Sequence, residues 1–244
     1  MIYLASRSPR RRDLLSQIGV KFEPLLFREG SRQDADTDEA QRPGEDADTY
    51  VRRVTQMKAE AAWQRIVMRR GLRRMPVLAA DTTVALDGMI LAKPVDRPDA
   101  ERILGLLSGT THRVLTAVAL QFESRFEITV SESFVSFTVL EPERIAAYVQ
   151  SGEPFDKAGA YGIQGRAGAF VERIEGSYSG IMGLPLYETA VLLARFGIRV
   201  ALGSADLLPK PTPNQVRAGG PQAVVAAGFQ PAAGRRGGGG IGRP

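Results

Sequence analysis

The run VLAADTTVALDGMILAKP, residues 77–94, is the feature that most constrains the fold of this chain. Its first part, residues 77–86, has the apolar and β-branched composition of a buried strand. Asp87 and Gly88 follow directly, and this dipeptide is a strong signal for a two-residue hairpin turn. The residues after the turn are again mainly apolar. The sequence therefore predicts two antiparallel strands joined by a tight turn.

The rest of the chain alternates between strand and helix signals. Strands or extended segments are predicted at residues 2–5, 20–27, 112–122, 126–140 and 168–174. Helices are predicted from Pro9 to about Ile18 and over residues 48–70, 98–107, 141–152 and 184–197. Because strands and helices are mixed throughout, the pattern favours an α/β fold with a mixed sheet.

The composition excludes several kinds of site. The chain has no cysteine, which excludes disulfides and thiolate metal sites, and its single histidine, His112, excludes a multi-histidine zinc site. We expect His112 to be a strand residue without a catalytic role and Trp63 to pack in the core. No apolar run is long enough to span a membrane, and residues 1–4 lead into charged residues rather than a signal peptide. These features predict a cytoplasmic protein.

The net positive charge of the chain comes from its C-terminal end. Five of the 32 basic residues and none of the 27 acidic residues follow residue 208, so the preceding chain carries equal numbers of both. This balance argues against a general nucleic-acid-binding surface. Residues 206–244 are rich in Gly, Pro and Ala, and we predict a disordered tail after a domain of residues 1–205. The tail sequence RRGGGG resembles the start of an RGG-type segment, which leaves a weak contact with nucleic acid open.

Asp81 and Lys93 are the first candidates for chemistry. Asp81 lies at the end of a buried strand and is followed by two threonines, and the hairpin can return Lys93 to its neighbourhood. A carboxylate that binds a metal or activates water, together with an ammonium that neutralises oxygens, is what phosphate chemistry needs. The alternative is that Asp81 caps a turn and Lys93 lies on the surface, and the spacing alone leaves both open.

The N-terminal motif SRSPRR, residues 6–11, also has two interpretations. Ser8 and Pro9 are typical of a helix start, since serine is a favoured N-cap and proline fits the first helical position. Capping does not explain the neighbouring Ser6, Arg10 and Arg11. The second interpretation is therefore a phosphate-binding turn at a helix N-terminus.

A third candidate is the segment SGEPFDKAGAYGIQG, residues 151–165, which combines glycines with Asp156, Lys157 and Gln164. Loops that carry charged residues are frequent binding sites, and glycines let a ligand approach the backbone. A glutamine amide can pair with the edge of a base. A tight connection between a helix and a strand would explain the glycines but not these polar side chains.

The acidic segment at residues 34–48 does not fit a calcium-binding loop. Its aspartates have the spacing of an EF-hand, but Glu39 occupies the position at which the sharp turn needs glycine. A solvated acidic loop is the simpler interpretation, and it leaves one acid free to point into a site.

Five blocks of the sequence, in this order, resemble the Maf family of nucleoside triphosphate pyrophosphatases. The blocks are LASRSPRR, ADTTVALDGMILAKP, LSGTTHRVLTAVAL, YVQSGEPFDKAGAYGIQG and GSYSGIMGLPLYET, within residues 2–197. The resemblance implies an α/β fold with an elongated mixed sheet in two lobes around a central cleft, as in Maf and inosine-triphosphatase proteins.

The resemblance also implies a house-cleaning reaction, in which a nucleoside triphosphate is hydrolysed to the monophosphate and pyrophosphate with a divalent metal, Mg²⁺ or Mn²⁺. The branch that acts on dTTP and UTP is the best match, and its marks fall on Arg10, Thr82 and Gln164. Two alternatives stay open. One is the sister branch that acts on 7-methyl-GTP, and the other is a non-catalytic nucleotide- or nucleic-acid-binding regulator of cell division.

Individual roles follow from the same resemblance. Asp81 would accept the proton of the attacking water and help bind the metal, with Glu39 or the neighbouring Asp38 as the second acid. The substrate-binding residues would be Ser6, Arg10, Arg11, Lys58, Thr82, Lys93, Asp156, Lys157 and Gln164. Gln164 would contact the pyrimidine. The expected partners are the triphosphate and a second copy in a homodimer, whereas no membrane and no nucleic acid are expected.

Overall fold

The structure is a computed structural model of the chain, and it describes residues 1–25 and 39–201. Its strands are β1 (Ile2–Ala5), β2 (Phe22–Pro24), β3 (Val77–Leu86), β4 (Met89–Leu91), β5 (Thr111–Phe122), β6 (Arg125–Phe137) and β7 (Val171–Glu175). Its helices are α1 (Pro9–Gln17), α2 (Ala47–Met68), α3 (Arg97–Leu107), α4 (Pro142–Gln150), α5 (Tyr178–Met182) and α6 (Leu186–Arg195). The predicted α/β class is confirmed.

All the described strands belong to one mixed sheet. Their order is β2-β1-β3-β5-β6-β7, and β4 pairs with β3. β1 is parallel to both β2 and β3, whereas the pairings of β3 with β4 and β5, β5 with β6, and β6 with β7 are antiparallel. The predicted hairpin at Asp87 and Gly88 is confirmed, and both residues have positive φ, as its tight turn requires.

One edge of β3 is shared by two short strands. β1 ends at Ala5, which is paired with Ala79, and β4 ends at Leu91, which is paired with Val84. Residues 80–83, which we call the β3 gap, lie between these two pairings, while the other edge of β3 is paired with β5 throughout. Because β1 and β4 run toward each other along this edge, the residues that follow each strand converge on the gap.

Helices cover both faces of the sheet around β1 and β3. Leu4 and Leu78 pack with α1 and α6 on one face, and the alternate residues Tyr3 and Val77 pack with α2 on the other. Trp63 of α2 is only 8% exposed, which confirms that it packs in the core. Beyond the gap, a separate cluster packs α3 and α4 against the last residues of β3. The β3 gap therefore lies between two separately packed regions.

One predicted strand begins later than expected. Residues 168–174 were predicted as a strand, but β7 begins at Val171, because Arg166–Phe170 forms a 3₁₀ turn. Phe170 ends this turn and packs against Tyr148 of α4, with ring centroids 5.1 Å apart. Burial of this ring outweighs the local strand preference.

Some expectations concern residues outside the described ranges. They are the end of the predicted extended segment at residues 20–27, the candidate acid Asp38 and the disordered tail at residues 206–244. The domain boundary near residue 205 stays a prediction. Within residues 1–25 and 39–201, none of the helices combines the length and the apolar character that crossing a membrane requires.

Candidate active site

Asp81 and Thr82 interrupt β3 at the β3 gap. They are half-buried, whereas the other residues of β3 are buried. The Asp81 side chain is 15% exposed, so its carboxylate is accessible but mostly removed from water. A polar pair in the middle of an apolar strand, at an edge without a paired strand, is accessible to a ligand.

Lys58 of α2 contacts two carboxylates. Its Nζ lies 2.7 Å from Asp81 Oδ1 and 2.8 Å from Glu39 Oε1. The next residue on α2, Ala59, is fully buried against the sheet together with Ala62. The packing of α2 therefore places Lys58 at the edge of the helix–sheet contact, beside the β3 gap.

Lys58, Glu39 and Asp81 form what we call the Asp81 cluster, in which electrostatics keep Lys58 and Glu39 charged. Burial lowers the pKa of Lys58, but attraction to Asp81 and Glu39 and the hydrogen bonds to both outweigh it, so the pKa of Lys58 is raised. Burial raises the pKa of Glu39, but attraction and hydrogen bonding to Lys58, followed by attraction to Lys93 and Arg11, lower it overall. Lys58 is therefore an ammonium and Glu39 a carboxylate at neutral pH.

The start of α1 lies at the other end of the gap. Ser8 is the N-cap and Pro9 the first helical residue, as predicted, but the Ser8 side chain makes no capping hydrogen bond. Instead the Ser8 N–H donates to Ser6 Oγ at 3.2 Å. Ser6 directly follows β1, so the N-terminus of α1, a favourable location for an anion, lies next to the β3 gap.

Arg11 connects α1 to the gap. Its Nε donates to the Gly183 carbonyl oxygen at 2.7 Å, and its two terminal nitrogens donate to Ser6 Oγ at 3.4 Å and Thr82 Oγ1 at 3.2 Å. Burial lowers the pKa of Arg11, and the Asp81 carboxylate opposes that effect. Arg11 is thus a fixed cation beside Asp81.

Arg10, on which one mark of the dTTP and UTP branch falls, has a different contact. The Arg10 guanidinium is 4.0 Å from an oxygen of Asp156, whereas the neighbouring Arg11 contacts Thr82. A role for Arg10 in selecting the base stays a prediction.

Thr116 of β5 extends the Arg11 contact into the core, and sequence reasoning missed it. Thr116 is opposite Thr82 in the sheet, and its Oγ1 lies 3.0 Å from Thr82 Oγ1 and 2.7 Å from the Gly180 carbonyl oxygen. Because a carbonyl only accepts, the single Thr116 proton goes to Gly180, and the Thr82 hydroxyl donates to Thr116. The only signal in the sequence is a hydroxyl residue within the apolar run LTAVAL.

The segment at residues 152–165 packs on the hairpin through Gly159. The Gly159 N–H donates to the Ala92 carbonyl oxygen at 3.3 Å. A Cβ at this position would lie 2.9 Å from the Val84 side chain, and the φ of +71° also favours glycine. This contact brings the segment to the residue that precedes Lys93.

Asp156 and Lys157 form a charged pair on this segment, in which only 14% of the Lys157 side chain is exposed. Lys157 Nζ contacts the Asp156 carboxylate and donates to the Glu153 carbonyl oxygen at 2.6 Å. Burial raises the pKa of Asp156, but the hydrogen bond and charge of Lys157, together with the charge of Arg10, lower it overall. With 69% of its side chain exposed, Asp156 is far more solvated than Asp81.

Lys93 and Gln164 are exposed and make no hydrogen bond to another residue of the described ranges. Lys93 is near enough to Glu39 to lower its pKa, which places a further positive charge at the site. Gln164 has no described contact with the Asp81 cluster. Its contact with a pyrimidine stays a prediction.

A buried pair anchors the 152–165 segment to β5. His112 Nε2 lies 2.8 Å from the Tyr161 hydroxyl, and the Phe137 ring packs against both side chains. Burial lowers the pKa of His112 to about 4. His112 is thus a neutral strand residue that positions Tyr161, and it is separate from the Asp81 cluster.

The fold and site define a class: a mixed α/β protein with a lysine between two carboxylates at an open stretch of its sheet. Residues 1–196 match the family profile described as Maf-like protein. The chain therefore belongs to the Maf family, as the motifs predicted.

Several relatives share most of the chain. A dTTP/UTP pyrophosphatase of Aromatoleum aromaticum is 59% identical over 197 residues, which cover 80% of this chain and 95% of that protein. A protein of the same name from Dechloromonas aromatica is 54% identical over 198 residues, or 81% and 98% of the two chains. A solved structure, the Staphylococcus aureus Ham1 protein, has a TM-score of 0.37 at 13% identity and covers 56% of this chain and 71% of that one, a likeness too low to carry an argument.

Proposed function

We propose that the protein hydrolyses nucleoside triphosphates, preferentially dTTP and UTP, to the nucleoside monophosphate and pyrophosphate. A water oxygen bonds to the α-phosphorus, the bond from this phosphorus to the α–β bridging oxygen breaks, and pyrophosphate leaves. One water proton passes to a base on the protein. Such a reaction clears nucleotides from the cellular pool. The two relatives named dTTP/UTP pyrophosphatase, at 59% and 54% identity, support this substrate class.

One observation carries the proposal. Asp81 and Glu39 share the ammonium of Lys58 at the β3 gap, with distances of 2.7 and 2.8 Å. Arg11 lies beside the gap, and Lys93 adds charge from the hairpin. Carboxylates surrounded by fixed cations suit a reaction in which water is activated while negative charge develops on phosphate oxygens.

The donor set fits a divalent metal. The Glu39 and Asp81 carboxylates are close enough to share one cation, and carboxylate oxygens are the ligands that Mg²⁺ and Mn²⁺ prefer. Mg²⁺ is commonly bound by one or two carboxylates together with substrate phosphates, and Lys58 contacts two carboxylates here. Glu39 and Asp81 would hold the metal, which when bound would neutralise the phosphate oxygens.

Asp81 is the proposed base. Its carboxylate accepts a hydrogen bond from Lys58 through Oδ1, which orients it within the β3 gap. The other carboxylate oxygen then faces the attacking water and receives its proton. β5 pairs with β3 from Val77 to Ala85, and this pairing includes Asp81, so the backbone of the proposed base is fixed by the sheet.

The other predicted substrate-binding residues would surround the triphosphate. Ser6, Arg10 and Arg11 lie at the start of α1, where backbone N–H groups and the helix dipole favour an anion. Lys93 follows β4 at the opposite end of the gap, and Lys157 with Asp156 lies on the segment beside it. The triphosphate would therefore extend along the gap between α1 and the hairpin.

Thr82 and Gln164 would select the nucleobase of the substrate. Thr82 is fixed by Arg11 and Thr116, so its position is rigid. Gln164 is exposed, and its amide is available for a donor and an acceptor contact with a pyrimidine. The expected homodimer and cytoplasmic location stay predictions.

The direct test is a panel of triphosphates with the purified full chain and Mg²⁺ or Mn²⁺. Both the monophosphate and pyrophosphate are quantified for dTTP, UTP, CTP, dATP, GTP and 7-methyl-GTP. We expect equal amounts of both products, with dTTP and UTP fastest. Preference for 7-methyl-GTP would favour the sister branch. No product from any triphosphate would refute the proposal and favour a non-catalytic regulator.

A further inference from the structure

Glu45 and Arg53 form a charged pair beside α2 that the proposed mechanism does not use. Arg53 Nε lies 2.6 Å from Glu45 Oε1, and a terminal nitrogen of Arg53 lies 2.8 Å from Glu45 Oε2. Only 12% of the Arg53 side chain and 4% of the Glu45 side chain are exposed. The two groups thus form a two-point contact that is mostly removed from water.

Stability alone is a poor explanation for such a pair. The loss of solvation of two charges offsets much of their attraction, and apolar residues of similar size are often as stable. Hydrogen bonds from Arg53, with a further one from the Arg42 N–H, lower the pKa of Glu45 to about 2 despite burial. The pair therefore stays charged at any working pH, and its fixed geometry is its distinctive property.

The pair is connected to the candidate metal ligand Glu39. Arg53 also donates to the Ala40 carbonyl oxygen at 2.9 Å, and the Tyr50 hydroxyl donates to the Glu39 carbonyl oxygen at 3.0 Å. Two side chains about one turn apart on α2 thus bind two consecutive carbonyls. From this backbone the Glu39 carboxylate reaches Lys58 at 2.8 Å.

We propose that the Glu45–Arg53 pair is a positioning device that fixes the Glu39–Ala40 backbone, so that the Glu39 carboxylate stays at Lys58 and Asp81. The proposal rests on the proposed function, because its effect on turnover acts through Glu39. Arg53 is a positioning residue, since it would act through the Ala40 carbonyl oxygen on the backbone beside Glu39. Residues that orient metal ligands typically change activity or metal affinity about 10- to 100-fold when replaced.

The test uses two variants of the full chain and a matched control. Arg53→Lys keeps the charge but loses the two-point contact, and Glu45→Gln keeps the shape but loses the charge. Arg52→Gln is the control, because Arg52 is the neighbouring residue on α2. Its Nε lies 2.6 Å from Asp48 Oδ2, and the two side chains are 44% and 45% exposed. Melting temperatures verify that each variant is folded, and Glu45→Gln is the milder change.

Two measurements decide the outcome. Hydrogen exchange over residues 39–46 should be faster in Arg53→Lys and Glu45→Gln than in Arg52→Gln. In steady-state assays with dTTP, kcat should fall about 10- to 100-fold in both variants and less than about two-fold in the control. In a Glu39→Gln background, Arg53→Lys should cause little further loss, since both changes affect the same carboxylate.

A full additional loss in the Glu39→Gln background would overturn the proposal, and so would unchanged exchange over residues 39–46. A wild-type chain that hydrolyses no triphosphate would overturn the proposed function instead. In that case the exchange measurement still decides whether the pair fixes the Glu39 backbone.

Discussion

Two regions contribute charged residues to the proposed site, and they differ in how those residues are fixed. Lys58 and Arg11 contact Asp81 and Thr82 on β3 at 2.7 and 3.2 Å. In the segment at residues 152–165, by contrast, Asp156 is 69% exposed and lies 4.0 Å from Arg10. The first region is fixed by its charged groups, whereas the second is anchored by residues outside the site, such as the buried His112–Tyr161 pair.

This difference indicates that the two regions have different roles in the proposed reaction. Fixed charges in a site partly removed from water stabilise a transition state most effectively, because they need no rearrangement during the reaction. Exposed charged groups such as Asp156 contribute little energy through pairing, because water screens them. We therefore propose that the charged groups around β3 carry out catalysis, and that Gln164 of the 152–165 segment selects the nucleobase together with Thr82.

The largest effect is expected for Asp81→Asn. The amide is similar in shape but is a poor base, so kcat with dTTP should fall by about 10²- to 10⁴-fold. Binding of a non-hydrolysable dTTP analogue, measured by calorimetry, should be largely retained. Turnover near the wild-type rate would exclude Asp81 as the base.

Lys58→Gln should have the next largest effect. Without the ammonium, the Glu39 and Asp81 carboxylates repel each other, and kcat should fall by about 10²- to 10³-fold. Lys21→Gln, at an exposed lysine elsewhere, is the control and should have no effect. Equal kcat values for the two variants in steady-state assays would show that Lys58 is dispensable.

The buried His112–Tyr161 pair, which anchors the 152–165 segment, should affect how the free energy of unfolding depends on pH. Burial lowers the pKa of His112 from 6.5 to about 4, so the unfolded chain takes up a proton at higher pH than the folded chain. This contribution to stability is present above pH 6.5 and is lost as the pH falls toward 4. Between pH 7.5 and pH 5 it should reduce the free energy of unfolding by about 2 kcal/mol.

Urea denaturation of the wild type and of His112→Gln measures this loss. His112 is the only histidine in the chain, so the variant should lack that component of the decrease. Parallel curves for the two proteins from pH 7.5 to pH 5 would contradict a buried neutral histidine.

The smallest effect on stability is expected for Gln164→Ala. Because Gln164 is exposed, the free energy of unfolding should change by less than about 0.5 kcal/mol. The loss of the Gln164 hydrogen bond to the nucleobase should lower kcat/KM for dTTP about five-fold relative to dATP. An unchanged ratio of the two kcat/KM values would remove Gln164 from base selection.

Local signals in the sequence predicted the elements that carry the site. The Asp87-Gly88 turn gives the hairpin, and Ser8 with Pro9 gives the start of α1. These features depend on the conformational preferences of neighbouring residues, which a sequence shows directly.

Contacts between distant segments could not be predicted in the same way. Arg10 and Arg11 are adjacent, but successive helical residues point about 100° apart, so one lies near Asp156 and the other contacts Thr82. The motif alone does not show which arginine takes which direction. The role of Thr116 likewise depends on the register between β3 and β5.

The most direct test of the account is ³¹P NMR of dTTP hydrolysis in ¹⁸O-labelled water, with the wild type and Asp81→Asn compared in the presence of Mg²⁺. We expect the wild type to form equal amounts of dTMP and pyrophosphate, with ¹⁸O in dTMP, and the variant to form almost none. Release of dTDP and inorganic phosphate, or equal rates for both proteins, would contradict hydrolysis at the α-phosphorus by the Asp81 cluster.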